Sequence, residues 1–316
     1  MRVSSSPLEM VIQINRSLAE KVMPLLSINN GAAIEQLRLL FFQAFTALPV
    51  AEDITIHPVS AAGVPAEWVT APNSAESRVM LYLHGGGYVV CSPDTHRNLV
   101  ARLARAAGVR ALSLDYRLAP EHPFPSAVHD AIAAYRWLIA TGVSPEQVVL
   151  AGDSAGGGLV LATLVALRDA GDQLPAAAVC LSPWVDLEAR GESMITNAEA
   201  DPFVNKKFIQ FLAQQYAGTH SLRHPLAAPL YADLHGLPPL LIQVGAAETL
   251  LDDAVRIAKR AKHSGVDVTL EIWQDMIHVW QLSAPILPEA QQAIDQVGEF
   301  VRSVLERQSN PLSLIA

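Results

Sequence analysis

A serine set between glycines, where a strand pattern meets a helix pattern, is the strongest constraint on what this chain folds into. In the stretch VVLAGDSAGGGLVLATLVAL, an apolar strand pattern leads into Gly152-Asp153-Ser154-Ala155-Gly156, and a helical pattern follows. A G-x-S-x-G sequence in that context predicts a sharp turn that lifts the serine hydroxyl above a sheet. Side chains at Gly152 and Gly156 would collide with neighbouring backbone. The sequence therefore predicts Ser154 as a nucleophile.

A second glycine run follows the strand pattern VMLYL and consists of His84-Gly85-Gly86-Gly87. Backbone N–H groups that are free of side chains and of competing hydrogen bonds stabilise an oxyanion. We therefore expect the amides of Gly86 and Gly87 to act as donors. Ala155 is expected as the third donor, because it begins the helix after the serine, at the positive end of the helix dipole. His84 is expected to hold this loop by a structural hydrogen bond.

The acid and the base of such a site follow the nucleophile along the chain, in the order serine, carboxylate, histidine. His278 lies just beyond the last strand, VTLEIW, where its loop would carry it over the serine. Glu248 falls in the loop after the strand LLIQV and is the expected acid. The alternatives, Asp252 and Asp253, lie one turn into the next helix, and Asp252 is spaced for a surface ion pair with Arg256. The other histidines after the serine are expected to have solvated, structural roles: His220, His224, His235 and His263.

Strand patterns alternate with helical patterns from about residue 54 onward. The inner strands are continuous apolar runs, which is typical of a parallel sheet with helices on both faces. We therefore predict the α/β-hydrolase fold, with a mostly parallel eight-stranded sheet covered by helices on both faces and with a helical cap. The candidate strands are 54–59, 64–70, 79–83, 110–114, 148–151, 178–181, 240–244 and 268–272.

Residues 1–50 stand outside this alternation and show two amphipathic helical patterns, 8–23 and 31–48, separated by a turn signal at Asn29 to Gly31. Both helices need a partner surface for their apolar faces. We predict that they form one segment of the cap. The apolar face of the first helix is expected to consist of Val11, Ile14, Leu18 and Val22.

The stretch 186–236 also interrupts the strand–helix rhythm and contains one clear helix near 203–217. It follows a strand end, so we predict that it is a cap insertion within a catalytic domain of residues 51–316. A cap over the carboxyl edge of the sheet would enclose a limited substrate pocket. Tyr88 and Trp184 are expected to lie in that pocket.

Composition and charge exclude several kinds of protein. A net charge of -9, with acids spread along the chain, argues against nucleic acid or an anionic membrane as a partner. The apolar segments are too short to span a bilayer, and charges interrupt the N-terminal helix, unlike a signal peptide. Two cysteines, Cys91 and Cys180, fit a reducing compartment better than a disulfide, and Cys180 lies in an apolar run. We expect a cytoplasmic protein without stable membrane association.

Together these motifs resemble the bacterial hormone-sensitive-lipase-like esterases, or family IV carboxylesterases. The resemblance covers nearly all of the chain from about residue 54 and implies hydrolysis of short-chain acyl esters without a cofactor or a metal, often by a homodimer. The chain departs from the family at the acid, where Glu248 replaces the common aspartate and Thr249 the following proline. The matching stretches are HGGG at 84–87, DYRLAPEHPFP at 115–125, GDSAGG at 152–157, GAAETLLDD at 245–253 and MIHVW at 276–280.

The expected chemistry is acyl transfer through an acyl-enzyme on Ser154, with His278 as general base and Glu248 orienting it. Three alternatives stay open at this point. An amidase or peptidase uses the same three groups, a lipase prefers longer chains, and a non-catalytic receptor on this fold would keep only the pocket.

Overall fold

The computed structural model describes residues 6–28 and 31–309. Its centre is an eight-stranded sheet made of β1 Thr55–Ala61, β2 Val64–Thr70, β3 Ala75–Leu83, β4 Val109–Leu114, β5 Val148–Asp153, β6 Ala177–Leu181, β7 Leu240–Gly245 and β8 Val268–Trp273. The strand order is β1-β2-β4-β3-β5-β6-β7-β8. Only β2 runs antiparallel to its neighbours, β1 and β4. The predicted α/β-hydrolase fold is confirmed, and every candidate strand is present.

The helices are α1 Pro7–Val22, α2 Gly31–Phe45, α3 Pro93–Ala107, α4 Ser126–Ala140, α5 Ala155–Asp169, α6 Ser193–Thr196, α7 Lys206–Ala217, α8 Leu251–His263 and α9 Pro288–Ser309. Local sequence signals determine where several of these helices begin or end. Ser6 and Glu9 form a capping box at the start of α1, and Pro7 occupies its first turn. Gly108, with φ +67°, ends α3 in the left-handed conformation.

Successive residues of the inner strands pack into two different cores, one on each face of the sheet. In β3, Val79, Leu81 and Leu83 join the core covered by α4, α5 and α8. Met80 and Tyr82 face the other way, into the core covered by α3 and α9. Because both faces are buried, the strand shows no polar alternation in sequence.

The first helix contacts α2, and a 3-10 turn at Met23–Ser27 follows where Pro24 interrupts the α-helix. Val11, Leu18 and Val22 are buried, but Ile14 is 52% exposed, so its predicted place on the buried face is wrong. At 3.6 residues per turn Ile14 projects about 60° away from the line through the other three. Most of the predicted turn signal at 29–31 lies outside the described residues.

Within the described ranges, no helix is both long and apolar enough to cross a membrane. Cys91 and Cys180 are both free thiols. Cys180 is fully buried in the core under α5, as predicted.

Candidate active site

Ser154 stands between β5 and α5 in a strained backbone conformation, with φ +52° and ψ −120°. Its amide donates to the Leu181 carbonyl at 2.8 Å, which anchors the turn to the next strand. The flanking glycines make the turn sterically feasible. A Cβ on Gly152 would lie 2.6 Å from the backbone of Gly156 and from the Leu83 carbonyl oxygen. A Cβ on Gly156 would overlap the same carbonyl.

Two further loops bring a histidine and a carboxylate to the serine. Nε2 of His278, in the loop after β8, lies 2.9 Å from Oγ of Ser154. Nδ1 of the same ring lies 2.7 Å from Oε2 of Glu248, in the loop after β7. Since a carboxylate only accepts, Nδ1 carries the proton and Nε2 is free to accept from the serine hydroxyl. The three strands are parallel, so their carboxyl ends meet at one edge of the sheet.

Glu248 is fully buried, and its second oxygen is held by the surrounding loops. Oε1 accepts hydrogen bonds from the Ser182 hydroxyl at 2.8 Å and from the Gly245 amide at 2.5 Å. Ser182 also accepts from the amide of Val279, next to the histidine, at 3.2 Å. Sequence reasoning did not single out Ser182. Its position at the carboxyl end of β6, between the acid and base loops in space, was the available signal.

The surroundings of His278 shift its proton affinity. Burial disfavours the imidazolium, but the hydrogen bond to Glu248 and the negative charges of Glu248, Asp201 and Asp153 outweigh it. The pKa of His278 is therefore raised above its ordinary value. A more basic imidazole accepts the serine proton more readily once it is neutral.

The amides of Gly86, Gly87 and Ala155 make no hydrogen bond to any of the described residues. Gly86 and Gly87 line the same cavity as Ser154, and Ala155 directly follows the serine as the first residue of α5. Gly86 has φ +100°, and its carbonyl accepts from the amides of Val89 and Val90, which closes the loop into a tight turn. Unpaired backbone amides fixed by the fold are the kind of donor that an oxyanion needs.

Asp153 ties the glycine loop to the serine turn. Its Oδ1 accepts from the Gly85 amide at 3.0 Å and from the Tyr82 hydroxyl at 2.7 Å, and its Oδ2 lies 3.3 Å from Nε2 of His96. Burial disfavours the Asp153 charge, yet His96 and these hydrogen bonds outweigh burial and lower its pKa. The sequence pattern did not indicate Tyr82 or His96, which lie on β3 and α3.

His84 lies beneath the glycine loop and does not reach the serine. Its Nδ1 lies 2.7 Å from the Gly85 carbonyl oxygen, and its ring stacks on Tyr116 with centroids 4.3 Å apart. Complete burial lowers the pKa of His84 to about 3, so the ring is neutral and Nδ1 is the donor.

A cavity above Ser154 is walled largely by apolar side chains from three helices of the N-terminal segment and the insertion. Trp184 lines it, but Tyr88 does not, so the predicted place of Tyr88 in the pocket is wrong. The Tyr88 ring is buried and stacks on Tyr216 instead, with centroids 3.6 Å apart. From α1, α2 and α7 the lining includes Asn15, Phe41, Phe45, Phe208, Ile209 and Leu212.

The predicted surface ion pair between Asp252 and Arg256 is also wrong. Asp252 accepts the Ser193 amide at 3.0 Å, and Arg256 donates to the buried Asp186 at 2.8 Å. The insertion packs on α8 and offers both side chains partners that no helix spacing reveals. Of the histidines expected to be solvated, His224 is half-buried and packs on Phe124, with ring centroids 4.7 Å apart.

Fold and site together define a class, the serine hydrolases of the α/β-hydrolase fold. A family model described as alpha/beta hydrolase fold matches residues 80–282. Within that class, the chain belongs to the bacterial hormone-sensitive lipase family and is a carboxylic-ester hydrolase, as its motifs predict.

Three similar proteins support this assignment. An acetyl-hydrolase of Streptomyces hygroscopicus is 50% identical over 238 residues, which are 75% of this chain and 79% of the relative. The crystal structure of an esterase from the bacterial hormone-sensitive lipase family is 52% identical, with a TM-score of 0.90, covering 96% of this chain and 99% of the other. EstE5, in a crystal soaked with p-nitrophenyl butyrate, is 46% identical, with a TM-score of 0.85, covering 92% and 98%.

Proposed function

We propose that this esterase works through Ser154 as nucleophile, His278 as general base and Glu248 as the orienting acid, on esters of short acyl chains. The observation that carries the proposal is the continuous series of contacts from Ser154 Oγ to His278 at 2.9 Å and from His278 to Glu248 at 2.7 Å. Nucleophile, base and orienting group within hydrogen-bond reach of one another are the signature of an activated serine.

The reaction has two steps. The Ser154 proton passes to Nε2 of His278 as Oγ forms a bond to the ester carbonyl carbon, and the carbonyl oxygen becomes an oxyanion. As the tetrahedral intermediate collapses, the bond to the alkoxy oxygen breaks and His278 protonates the departing alcohol. Water then attacks the acyl-enzyme by the same route and releases the acid. Glu248 stays ionised throughout and stabilises the imidazolium.

The amides of Gly86, Gly87 and Ala155 are the proposed oxyanion donors. Their free N–H groups support this role, because donors already fixed by the fold need no reorganisation as charge develops. Asp153 supports it indirectly by holding the amide of Gly85.

Two observations support short acyl chains. Buried apolar side chains wall the cavity, and among them Ile209 and Leu212 belong to the insertion helix. One relative is named an acetyl-hydrolase, and EstE5 was soaked with a butyrate ester. Each acyl CH₂ should gain about 0.8 kcal/mol while it is being buried, after which steric cost begins.

The test is kcat/KM for p-nitrophenyl esters from acetate to palmitate, together with a matched aryl anilide. We expect a maximum at short chains and a much slower anilide reaction. A monotonic rise to palmitate would identify a lipase instead, and a faster anilide reaction would identify an amidase.

We further propose that the protein acts in the cytoplasm as a homodimer. Its two free thiols support a reducing compartment. Among the strands that the structure describes, β8 lies at the edge of the sheet and pairs with β7 alone, and its Ile272 is 43% exposed. Cell fractionation tests the compartment, and light scattering coupled to gel filtration tests the dimer. A monomer at micromolar concentration would contradict the second proposal.

A further inference from the structure

Three side chains of the insertion hydrogen-bond to the backbone of the acid loop, residues 246–252. Asn197 donates through Nδ2 to the carbonyls of Ala246 and Glu248, each at 2.9 Å. Ser193 donates to the Thr249 carbonyl at 2.6 Å and accepts from the Asp252 amide at 3.0 Å. The loop that carries the proposed acid is therefore shaped from outside the catalytic sheet.

Both oxygens of the Asp201 carboxylate accept hydrogen bonds, one from the acid loop and one from within the insertion. Its Oδ2 accepts the Thr249 amide at 2.9 Å, and the Thr249 hydroxyl lies 3.2 Å from both that oxygen and the Val204 carbonyl oxygen. Its Oδ1 accepts the amides of Phe203 and Val204 at 3.0 and 2.8 Å, which fixes the carboxylate within the insertion. Asp201 is 6% exposed and borders the substrate cavity.

We propose that Asp201 is a positioning residue for the reaction: by holding both donor groups of Thr249, it sets the backbone from which the Glu248 side chain reaches His278. The inference rests on the proposed role of Glu248. Thr249 is adjacent to Glu248, so a displacement of its amide moves the Cα of the acid directly. Glutamate has one more rotatable bond than aspartate, and its backbone must be held correspondingly well to keep the carboxylate in place.

The negative charge of Asp201 also affects the pKa of His278, the proposed base. The charges that face His278 are those of Glu248, Asp201 and Asp153, and all three raise the pKa of His278. Burial raises the pKa of Asp201 itself, while nearby His278 and the donated amides oppose that rise. Removal of the Asp201 charge should therefore lower the pKa of His278. It should also allow the backbone at Glu248 to shift.

The test begins with Asp201→Asn, which keeps one acceptor oxygen and replaces the other with an NH₂ donor. That side chain cannot accept from the amides of Phe203 and Val204 and from the donors of Thr249 at the same time. We expect kcat per active site to fall by roughly 10²-fold, since a misplacement of about 1 Å has that effect, with KM changed little. The acid limb of the kcat/KM profile should move to lower pH. Titration with an organophosphate counts the active sites, so that partial unfolding does not pass for slower chemistry.

The decisive measurement is Asp201→Asn in the Glu248→Gln background. If Asp201 acts through Glu248, its substitution should cost less than about 3-fold there, because groups that act as a unit are not additive. A full additive loss would show a general structural role and would overturn the proposal. If Glu248→Gln itself keeps full activity, the proposed acid fails first, and the two failures are thus distinguishable.

Matched variants keep the result clear if Asp201→Asn folds poorly. Thr249→Val removes the hydroxyl but keeps the amide and should lower kcat in the same direction by less, whereas Thr249→Ser should retain activity. Asp233→Asn is the control: this exposed carboxylate of the same insertion accepts, among the described residues, only the His235 amide, and its loss should leave kcat unchanged. Unchanged kcat and pH profile in folded Asp201→Asn and Thr249→Val would overturn the proposal.

Discussion

The hydroxyl of Ser182 donates a 2.8 Å hydrogen bond to Oε1 of Glu248, while Oε2 of the same carboxylate lies 2.7 Å from Nδ1 of His278. The two oxygens of the acid thus have separate partners, one in the loop after β6 and one in the loop after β8. Since Ser182 also accepts the Val279 amide, one hydroxyl connects the acid to the backbone beside the base. The carboxylate of Glu248 is therefore fixed in orientation as well as in position.

Glu248→Gln should lower kcat by roughly 10³- to 10⁴-fold, because an amide at Oε2 favours the wrong imidazole tautomer. Asp252→Asn is the comparison, since Asp252 contacts the Ser193 amide and not the histidine. Its effect on kcat should be far smaller. Steady-state kinetics of both variants decide the matter, and the opposite ranking would identify another acid.

Ser154→Ala should reduce turnover by roughly 10⁶-fold while the fold is retained, as circular dichroism would show. A serine-directed organophosphate should form a single adduct on Ser154 in the unmodified enzyme. Peptide mass spectrometry locates the adduct. An adduct on another residue would refute the assignment.

The kcat/KM of the enzyme should rise with pH along a limb centred above 6.5, the ordinary value for histidine. The reason is that His278 accepts a proton only when it is neutral, and the surrounding carboxylates raise its pKa. Below that pKa the imidazolium predominates and activity is lost. A pH–rate profile with a slow substrate measures the limb, and a flat profile from pH 5 to 8 would count against His278 as base.

Asp253 should make the fold less stable as pH rises from about 4 to 7. Burial raises its pKa from 3.8 to about 7, so in this interval the folded protein keeps a proton that the unfolded chain has lost. The free energy of unfolding therefore falls with rising pH through this group. Asp253→Asn should remove this component, and Tm measured across the interval for both proteins tests it. A Tm difference that does not vary with pH would contradict it.

Ile209→Ala should shift the acyl-length optimum to longer chains, because Ile209 lines the cavity and is only 3% exposed. It should also lower the free energy of unfolding by roughly 2–5 kcal/mol. Ile195→Ala is the matched control in the same insertion, since Ile195 is 73% exposed. The ester panel and denaturant unfolding give both readouts. An unchanged optimum would show that Ile209 does not limit the chain.

The sequence alone determined the fold class, the strand positions and the three residues proposed for catalysis. These follow from local signals: continuous apolar runs for buried strands, glycines where a Cβ cannot fit, and loops at the carboxyl ends of parallel strands. Ser154, Glu248 and His278 each lie at such an end, and parallel strands bring those ends together whatever the rest of the chain does.

Only the tertiary structure decided which side chains surround these three. Three of the contacts around them join residues that are 48 to 66 positions apart in the chain: Ser182 with Glu248, His96 with Asp153, and Asp201 with Thr249. Tyr88 stacks on Tyr216 and does not line the pocket in which it was predicted to lie. Asp252 accepts a hydrogen bond from the Ser193 amide and does not pair with Arg256. A periodic pattern shows which face of an element is buried, but a hydrogen bond depends on how two elements pack, and that packing is set by the whole chain at once.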